Sequence, residues 1–185
     1  MMPSPPPDVS IVIVSYRVCA VLMDCLRSLF GGGLDGVTAE VIVVDNASGD
    51  GTAERVRTDF PQVRLLALPA NRGFSGGNNA GLAEATGRNL LLLNPDTLIP
   101  TGAIADCVRY LDAQPADAGA MGCRVVGTDG NVQWECARRA VTPGDEIARA
   151  FLLDRLFPGS PVFNREKMPD WNRDTEADVE SLLGA

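Results

Sequence analysis

The stretch that most constrains this chain is Leu90–Leu93, four leucines that run directly into Asn94, Pro95 and Asp96. A run so apolar predicts a strand buried on both faces of a sheet. Pro95 has no N–H for a ladder and restricts Asn94 to an extended conformation, so the strand must end there. Asp96 is then expected at the carboxyl end of a central strand, where open α/β sheets bind ligands. A carboxylate in that position suits a hard cation, and such a cation can hold a diphosphate. Asn-Pro-Asp is also an ordinary turn, so Asp96 alone leaves both readings open.

Strands and helices alternate around that stretch. Val9–Ser15 (VSIVIVS) is a β-branched run and predicts a buried first strand. Val18, Val21, Leu22, Cys25, Leu26, Leu29 and Phe30 recur at helical spacing, and Gly31–Gly33 stop that helix. Glu40–Val44 predicts a second strand ending at Asp45, and Ser48 or Asp50 can cap a short helix over about 52–58. Val63–Leu68 predicts a third strand closed by Pro69. The loop Asn71–Asn79 (NRGFSGGNN) leads into a helix ending near Gly87, and another helix over about 102–114 follows the leucine strand. This order predicts an α/β chain with a Rossmann-like, mostly parallel sheet flanked by helices on both faces.

The pattern changes after about Ala118. Ala118–Val126 predicts another strand, and the turn residues Thr128–Asn131 with Val132–Cys136 predict a hairpin return. A helix over about 145–157 carries Ile147, Phe151, Leu152 and Leu156, and the chain from Arg165 onward is polar and loosely patterned.

With 185 residues, 45% of them hydrophobic, the chain can build one domain with a real core. A formal net charge of -8 argues against general nucleic-acid binding. No apolar run has transmembrane length, and MMPSPPPD lacks the features of a signal peptide. The five scattered cysteines are expected to be buried thiols in a reducing cytoplasm. There is no histidine, which excludes Ser-His-Asp and Cys-His chemistry. A general base must then be a carboxylate, or else a lysine or tyrosine.

Two further segments carry candidate chemistry. Asp45 in VVDNASGDGT can accept the imide N–H of a pyrimidine base, but Asp, Asn, Ser and Gly are also the usual residues of turns and helix caps. In NRGFSGGNN, Gly73, Gly76 and Gly77 just before a helix can let backbone N–H groups approach an anion, or can serve as a flexible connection. The density of donors in Asn71, Arg72, Asn78 and Asn79 favours a diphosphate or sugar cradle. A dinucleotide fold needs G-x-G-x-x-G after the first strand and a P-loop needs G-K-[ST]; neither occurs here.

Together these residues resemble the family 2 glycosyltransferases of the GT-A fold, and more narrowly their bacterial rhamnosyltransferase-type members. The matching segments are VSIVIVSYR, VIVVDNASGDGT, NRGFSGGNNAGL and LLLLNPDT, in family order and at family spacing over about 9–126. The resemblance implies a nucleotide-diphosphate-sugar donor, dTDP- or UDP-linked, and a divalent cation, Mg2+ or Mn2+. It implies a glycan or lipid-linked acceptor in cell-wall or surface-polysaccharide synthesis, and a cytoplasmic protein that can lie at the inner face of the membrane. Asp45 would bind the donor base, with the backbone near Ser15 and Tyr16 lining the same pocket. Asn71, Arg72, Gly73 and Asn78 would face the donor. Asp96 would be the retained carboxylate of the family's D-x-D metal motif, with Asn94 in the donor site where many members carry the first aspartate.

The implied reaction is inverting: an acceptor hydroxyl attacks the anomeric carbon, the nucleoside diphosphate leaves, and a carboxylate takes the hydroxyl proton. In the family that base lies downstream in an acidic motif after a segment such as GGFDE, which this chain does not contain. ADVESLLGA resembles the strand that enters the acceptor half, with Gly184 and Ala185 as its closing pair; Glu176, Asp178 and Glu180 do not match the base motif. The catalytic base is therefore unassigned. The expected divisions are a proline-rich tail without fixed fold over 1–8, a donor-binding core over 9–126 and a partial acceptor-side region over 127–185. A chain cut short at its C-terminus is expected to leave a sheet edge unpaired and to turn over weakly or not at all. The rivals are a non-catalytic nucleotide-sugar-binding remnant and a nucleotidyltransferase, which would usually carry a basic glycine-rich loop where this chain has SYRVCAV. The helix over 145–157 can be an acceptor-side or membrane-surface element, but a membrane helix is normally more basic, which favours packing on its own domain.

Overall fold

The computed structural model describes residues 5–115, 118–133 and 137–182. The chain divides into two compact units, Met1–Asp117 and Ala118–Ala185.

In the first unit the β-branched runs form the centre. Strands β1 (Val9–Ser15), β2 (Ala39–Asp45), β3 (Arg64–Ala67) and β4 (Asn89–Leu93) make a parallel sheet in the order β3-β2-β1-β4. Ser15 lies beside Asp45, and Ile13 beside Leu93. Helices α1 (Cys19–Ser28), α2 (Thr52–Asp59) and α4 (Ala103–Asp112) join Leu22, Leu26, Val56, Ile104 and Val108 to Ile11, Ile13, Val41 and Val43 in one core. Helix α3 (Gly73–Leu82) covers the other face, over Val12, Ile42 and Val44. Each fully buried aliphatic side chain contributes about 1.5–3 kcal/mol. Ile11, Val12 and Ile13 are all fully buried, so β1 is the mechanical axis on which the loops at its end are mounted.

Several expectations are corrected. The leucine strand β4 is not central: it lies at the edge of the sheet among the described residues. Leu91 and Leu93 pack on the core, whereas Leu90 and Leu92 are 57% and 50% exposed. A continuous apolar run does not say whether both faces are covered, because only the neighbouring elements decide that. The glycine-rich segment is not an open loop, since α3 begins at Gly73. Its glycines let the helix press onto the sheet: a Cβ on Gly77 would lie 2.7 Å from Val14 Cγ1, and one on Gly81 2.4 Å from Val12 Cγ1. Order also begins before Val9, because Pro7 O and Asp8 O accept from Arg88 N and Asn89 N at 2.9 and 3.0 Å.

In the second unit, β5 (Ala137–Arg138) pairs antiparallel with β6 (Ser181–Leu182). The expected strand Ala118–Val126 does not form; an isolated bridge joins Val126 to Val132, and Gly127 N donates to Asn131 O at 2.8 Å. The turn of the expected hairpin is thus present. Of its return arm, expected over Val132–Cys136, residues 134–136 lie outside the described residues, as do Gly184 and Ala185. The single helix expected over 145–157 is two, α5 (Pro143–Ala150) and α6 (Leu153–Leu156). Thr142 and Asp145 form a capping box on α5, and Leu152 at φ +57° turns the chain between the two helices. Among the described residues no helix is long and apolar enough to cross a membrane.

Candidate functional site

The order β3-β2-β1-β4 reverses direction between β1 and β4, and ligand crevices in such sheets lie beyond the carboxyl ends of the strands at that point. The ends that meet there carry Ser15 and Tyr16, Asp45 and Asn46, and Asn94 to Asp96. Ser15 is fully buried and its Oγ has no hydrogen-bond partner among the described residues. Its carbonyl accepts from Asn46 N at 2.9 Å and Ser48 Oγ at 3.4 Å. Asp45 is buried and accepts Ser48 N, three residues on, at 3.1 Å, a side-chain bond that closes the turn read from DNAS. One carboxylate can accept several bonds, so Asp45 keeps acceptor capacity for a ligand.

Arg17 and Ala47 both adopt left-handed backbone conformations, at φ +59° and +61°, next to these strand ends. Non-glycine residues held this way cost on the order of 1 kcal/mol or more and concentrate at functional sites. Arg17 N donates to Ser48 Oγ at 3.1 Å, and its guanidinium lies 5.1 Å from the Tyr16 ring centroid. Neither candidate is the N-cap of α2, which is Gly51, but Asp50 just before it holds the first helical residue. It accepts Thr52 Oγ1 at 2.5 Å, Thr52 N at 3.1 Å and Cys19 N at 3.2 Å, so it ties α1 and α2 together. The Thr52 hydroxyl leads in holding the Asp50 carboxyl below its ordinary range against the effect of burial.

The segment before α3 is fixed by a side-chain network. Asn46 Oδ1 accepts Arg72 N at 2.8 Å, and Asn46 Nδ2 donates to Asn71 Oδ1 and Gly73 O, each at 3.0 Å. Asn71 Oδ1 also accepts Gly73 N at 2.7 Å. Gly73 sits at φ +70°, a turn that a side chain would strain. Arg72 is exposed, and its guanidinium has no hydrogen bond or ion pair among the described residues. Asn78 is buried, and its amide donates to Phe74 O at 3.0 Å within the first turns of α3.

At the end of β4, Asn94 O accepts Thr97 N at 3.3 Å and the Cys25 thiol at 3.8 Å, closing the Asn-Pro-Asp turn over α1. Ile99 N donates to Ser28 Oγ at 3.0 Å one helical turn further along. Burial, with the Asp96 charge as a second cause, pushes the Cys25 thiol up to about 11. Asp96 itself is exposed and has no hydrogen bond or ion pair among the described residues. Those residues contain no group of three or more His, Cys, Asp and Glu side chains placed to hold an ion. The donor set therefore fits a cation held by one carboxylate, with water and substrate phosphates completing its shell, and does not fit a closed protein cage.

Ser15, Asp45, Asn71, Arg72 and Gly73 are thus joined through the ends of β1 and β2, and Asp96 is carried by β4 on the other side of β1. Sequence reasoning missed Asn46, Ser48 and Cys25 as supports. The Asn after a strand-ending Asp was the available signal, but its partners lie 25 to 27 residues away and have no local signature.

Residues 10–169 match the model of glycosyl transferase family 2. The chain is 34% identical over 125 residues to the succinoglycan biosynthesis protein ExoO of Rhizobium meliloti (strain 1021), covering 67% of this chain and 35% of that protein. It is 26% identical over 170 residues to the dolichol-phosphate mannosyltransferase of Mycosarcoma maydis, covering 87% and 57%. It is similar in structure to the mannosyltransferase PcManGT of Pyrobaculum calidifontis, solved with GDP-Man and Mn2+, at a TM-score of 0.52 and 27% identity over 60% of this chain and 34% of that one. The chain therefore spans about a third to somewhat over half of these relatives. With the parallel sheet, the helices on both faces and the match over 10–169, the chain belongs to glycosyl transferase family 2.

Proposed function

We propose that this chain binds a nucleotide-diphosphate sugar and supplies the donor side of an inverting sugar transfer to a glycan or lipid-linked acceptor in surface-polysaccharide synthesis. The observation that carries this reading is the spare bonding capacity at the carboxyl end of the sheet: the Asp45 carboxylate, with a buried Ser15 hydroxyl, an Arg72 and an Asp96 that have no partner among the described residues. Asp45 accepts the base imide N–H, with Ser15 and Tyr16 lining that pocket. Asn71, Arg72 and Gly73 face the diphosphate and sugar, Asn78 holds the start of α3 beneath them, and Asn94 shapes the turn that presents Asp96. A divalent cation on Asp96 would offset the charge that develops on the leaving diphosphate. The acceptor oxygen forms a bond to the anomeric carbon as the bond to diphosphate breaks, and the hydroxyl proton passes to a carboxylate base that no described residue is assigned to supply.

In this reading residues 9–126 form the donor-binding part and 127–185 contribute to the acceptor side. A dTDP- or UDP-linked donor of the rhamnosyltransferase-type subgroup is the most specific form of the proposal. The biosynthetic roles in the names of ExoO and the dolichol-phosphate enzyme support the acceptor class, and family membership favours sugar transfer over nucleotidyl transfer. Titration calorimetry with UDP, dTDP and GDP, with and without MnCl2, tests it. Binding that requires Mn2+ and falls by about 100-fold or more in Asp96→Ala is expected. Binding of none of the three, or binding indifferent to both Mn2+ and Asp96, overturns it.

A further inference from the structure

We infer that Asn46 is the positioning residue of the segment that opens α3, acting through Arg72: it sets the one cation of Asn71–Asn79 against the diphosphate, and takes no part in holding the base. This inference rests on the donor-site reading proposed above. Asn46 is 2% exposed and joins three pieces of chain. Its backbone N–H donates to Ser15 O at the end of β1, it follows Asp45 at the end of β2, and its side chain spends its acceptor and its donors on Asn71, Arg72 and Gly73.

The chemistry requires an amide at this position. Arg72 N is a donor, so the oxygen of the side chain must face it; the nitrogen must then face Asn71 Oδ1 and Gly73 O, both acceptors. An aspartate of the same shape would set a carboxylate oxygen against those two acceptors. A hydroxyl or methyl would leave backbone groups of the loop without partners. The result is that the backbone on both sides of Arg72 is fixed while its guanidinium is left uncommitted. Arg72 is the only charged residue between Asn71 and Asn79, so the loop's attraction for an anion rests on it. Gly76 completes the arrangement, since a Cβ there would lie 2.7 Å from Arg72 Cβ; the missing side chain makes room for the stem of the arginine.

A structural role alone would weaken every ligand together. Positioning of Arg72 weakens only ligands that carry the diphosphate. The test compares UDP with uridine, or dTDP with thymidine if that pair binds better, in the presence of MnCl2. Calorimetry reads the diphosphate and NMR titration the nucleoside. Asn46→Ala, Asn46→Asp, Arg72→Ala and the Asn46→Ala/Arg72→Ala double variant are compared with the wild-type chain. Asn46→Ala and Asn46→Asp are expected to weaken the diphosphate about tenfold or more and to leave the nucleoside within about twofold. The double variant is expected to bind the diphosphate no more weakly than Arg72→Ala alone, because residues acting through one another are not additive. Equal losses for nucleoside and diphosphate, or an additive double variant, overturn the inference. Should Asn46→Ala fail to fold by circular dichroism, the isosteric Asn46→Asp carries the same comparison. A wild-type chain that binds no nucleoside diphosphate sinks the donor-site reading itself. A wild-type chain that binds while Asn46→Asp binds equally well sinks only the role of Asn46.

Discussion

The two ends of the parallel sheet use the same residue types for opposite purposes. At the amino-terminal end the carboxylates of Asp8, Glu40 and Asp112 are committed. Asp8 accepts Thr38 N at 2.9 Å, Thr38 Oγ1 at 2.6 Å and Arg88 at 3.2 Å, and Arg88 also pairs with Asp112 at 2.6 Å. Glu40 Oε1 accepts Ser10 Oγ, Thr86 N, Thr86 Oγ1 and Gly87 N at 2.5 to 3.1 Å. At the carboxyl-terminal end Asp45 has one acceptor bond, while Asp96 and Arg72 have no partner among the described residues and the buried Ser15 hydroxyl has none. Buried or strand-end polar groups are normally satisfied, so a cluster that is not satisfied marks where the chain meets something else. The first end closes the α3–β4 connection onto the sheet, and the second leaves its bonding capacity for a ligand.

The largest effect expected from this contrast is a crossed pair of variants. Asp45→Asn keeps an oxygen for Ser48 N but offers an amide where a base imide needs a carboxylate. Nucleoside affinity should fall by about 10- to 100-fold with little change in melting temperature. Glu40→Gln removes charge from a four-donor nest that includes the fully buried Ser10. It should lower stability by about 1–2 kcal/mol in urea unfolding and leave nucleotide affinity of the folded chain unchanged. Should Asp45→Asn melt early, or Glu40→Gln bind poorly while folded, the division of labour between the two ends is lost.

A smaller effect follows from pH. Burial pushes the Glu40 carboxyl up, but the hydrogen bonds from Ser10, Thr86 and Gly87 together outweigh it and hold it below its ordinary value of 4.5. The Thr38 hydroxyl and amide, with Arg88, hold Asp8 below 3.8. A carboxyl depressed on folding contributes stability that is complete above its unfolded value and is lost as the pH falls through its folded value. Stability should therefore be level from neutral pH to about 5 and decline below it. The gap in melting temperature between wild type and Glu40→Gln should narrow between pH 7 and pH 3. A gap that stays constant over that range would show that the charge of Glu40 contributes nothing.

Much of this contrast was legible in the residues, and the unread parts share one cause. β1, β2 and β3, the helices α1, α2 and α4, and the strand-ending positions of Asp45 and Asp96 follow from hydrophobic periodicity and from the turn residues that interrupt it. What the pattern does not carry is contact between distant segments. Leu90 and Leu92 look buried in sequence because apolarity is local, but exposure depends on whether another strand or helix lies beside β4. Gly77 looks like a loop residue because its use depends on the side chain of Val14 against which α3 packs. Asn46 looks like a turn residue because the loop it holds is reached only through the fold. The break at Leu152 and the unformed strand at 118–126 lie in the second unit, where apolar spacing is weaker and turn chemistry decides the path.

The smallest effect concerns Cys25, which makes the contrast chemical instead of merely positional. It lies at the open end of the sheet, yet it is fully buried and its thiol donates to Asn94 O beneath the Asn-Pro-Asp turn. With its pKa pushed up to about 11, first by burial and then by Asp96, only about one thiol in a thousand is ionised at pH 8. It should therefore belong with the committed groups of the other end and not with the free ones around it. Iodoacetamide at pH 8 followed by mass spectrometry should label the half-buried Cys19 in the native chain and Cys25 only after denaturation. Labelling of native Cys25 at the rate of Cys19 would mean that the turn carrying Asp96 opens freely, and that the carboxylate is not held in one place for a cation. Slow labelling would place the boundary between support and site within this turn, with Asn94 O facing the thiol and the Asp96 carboxylate facing out.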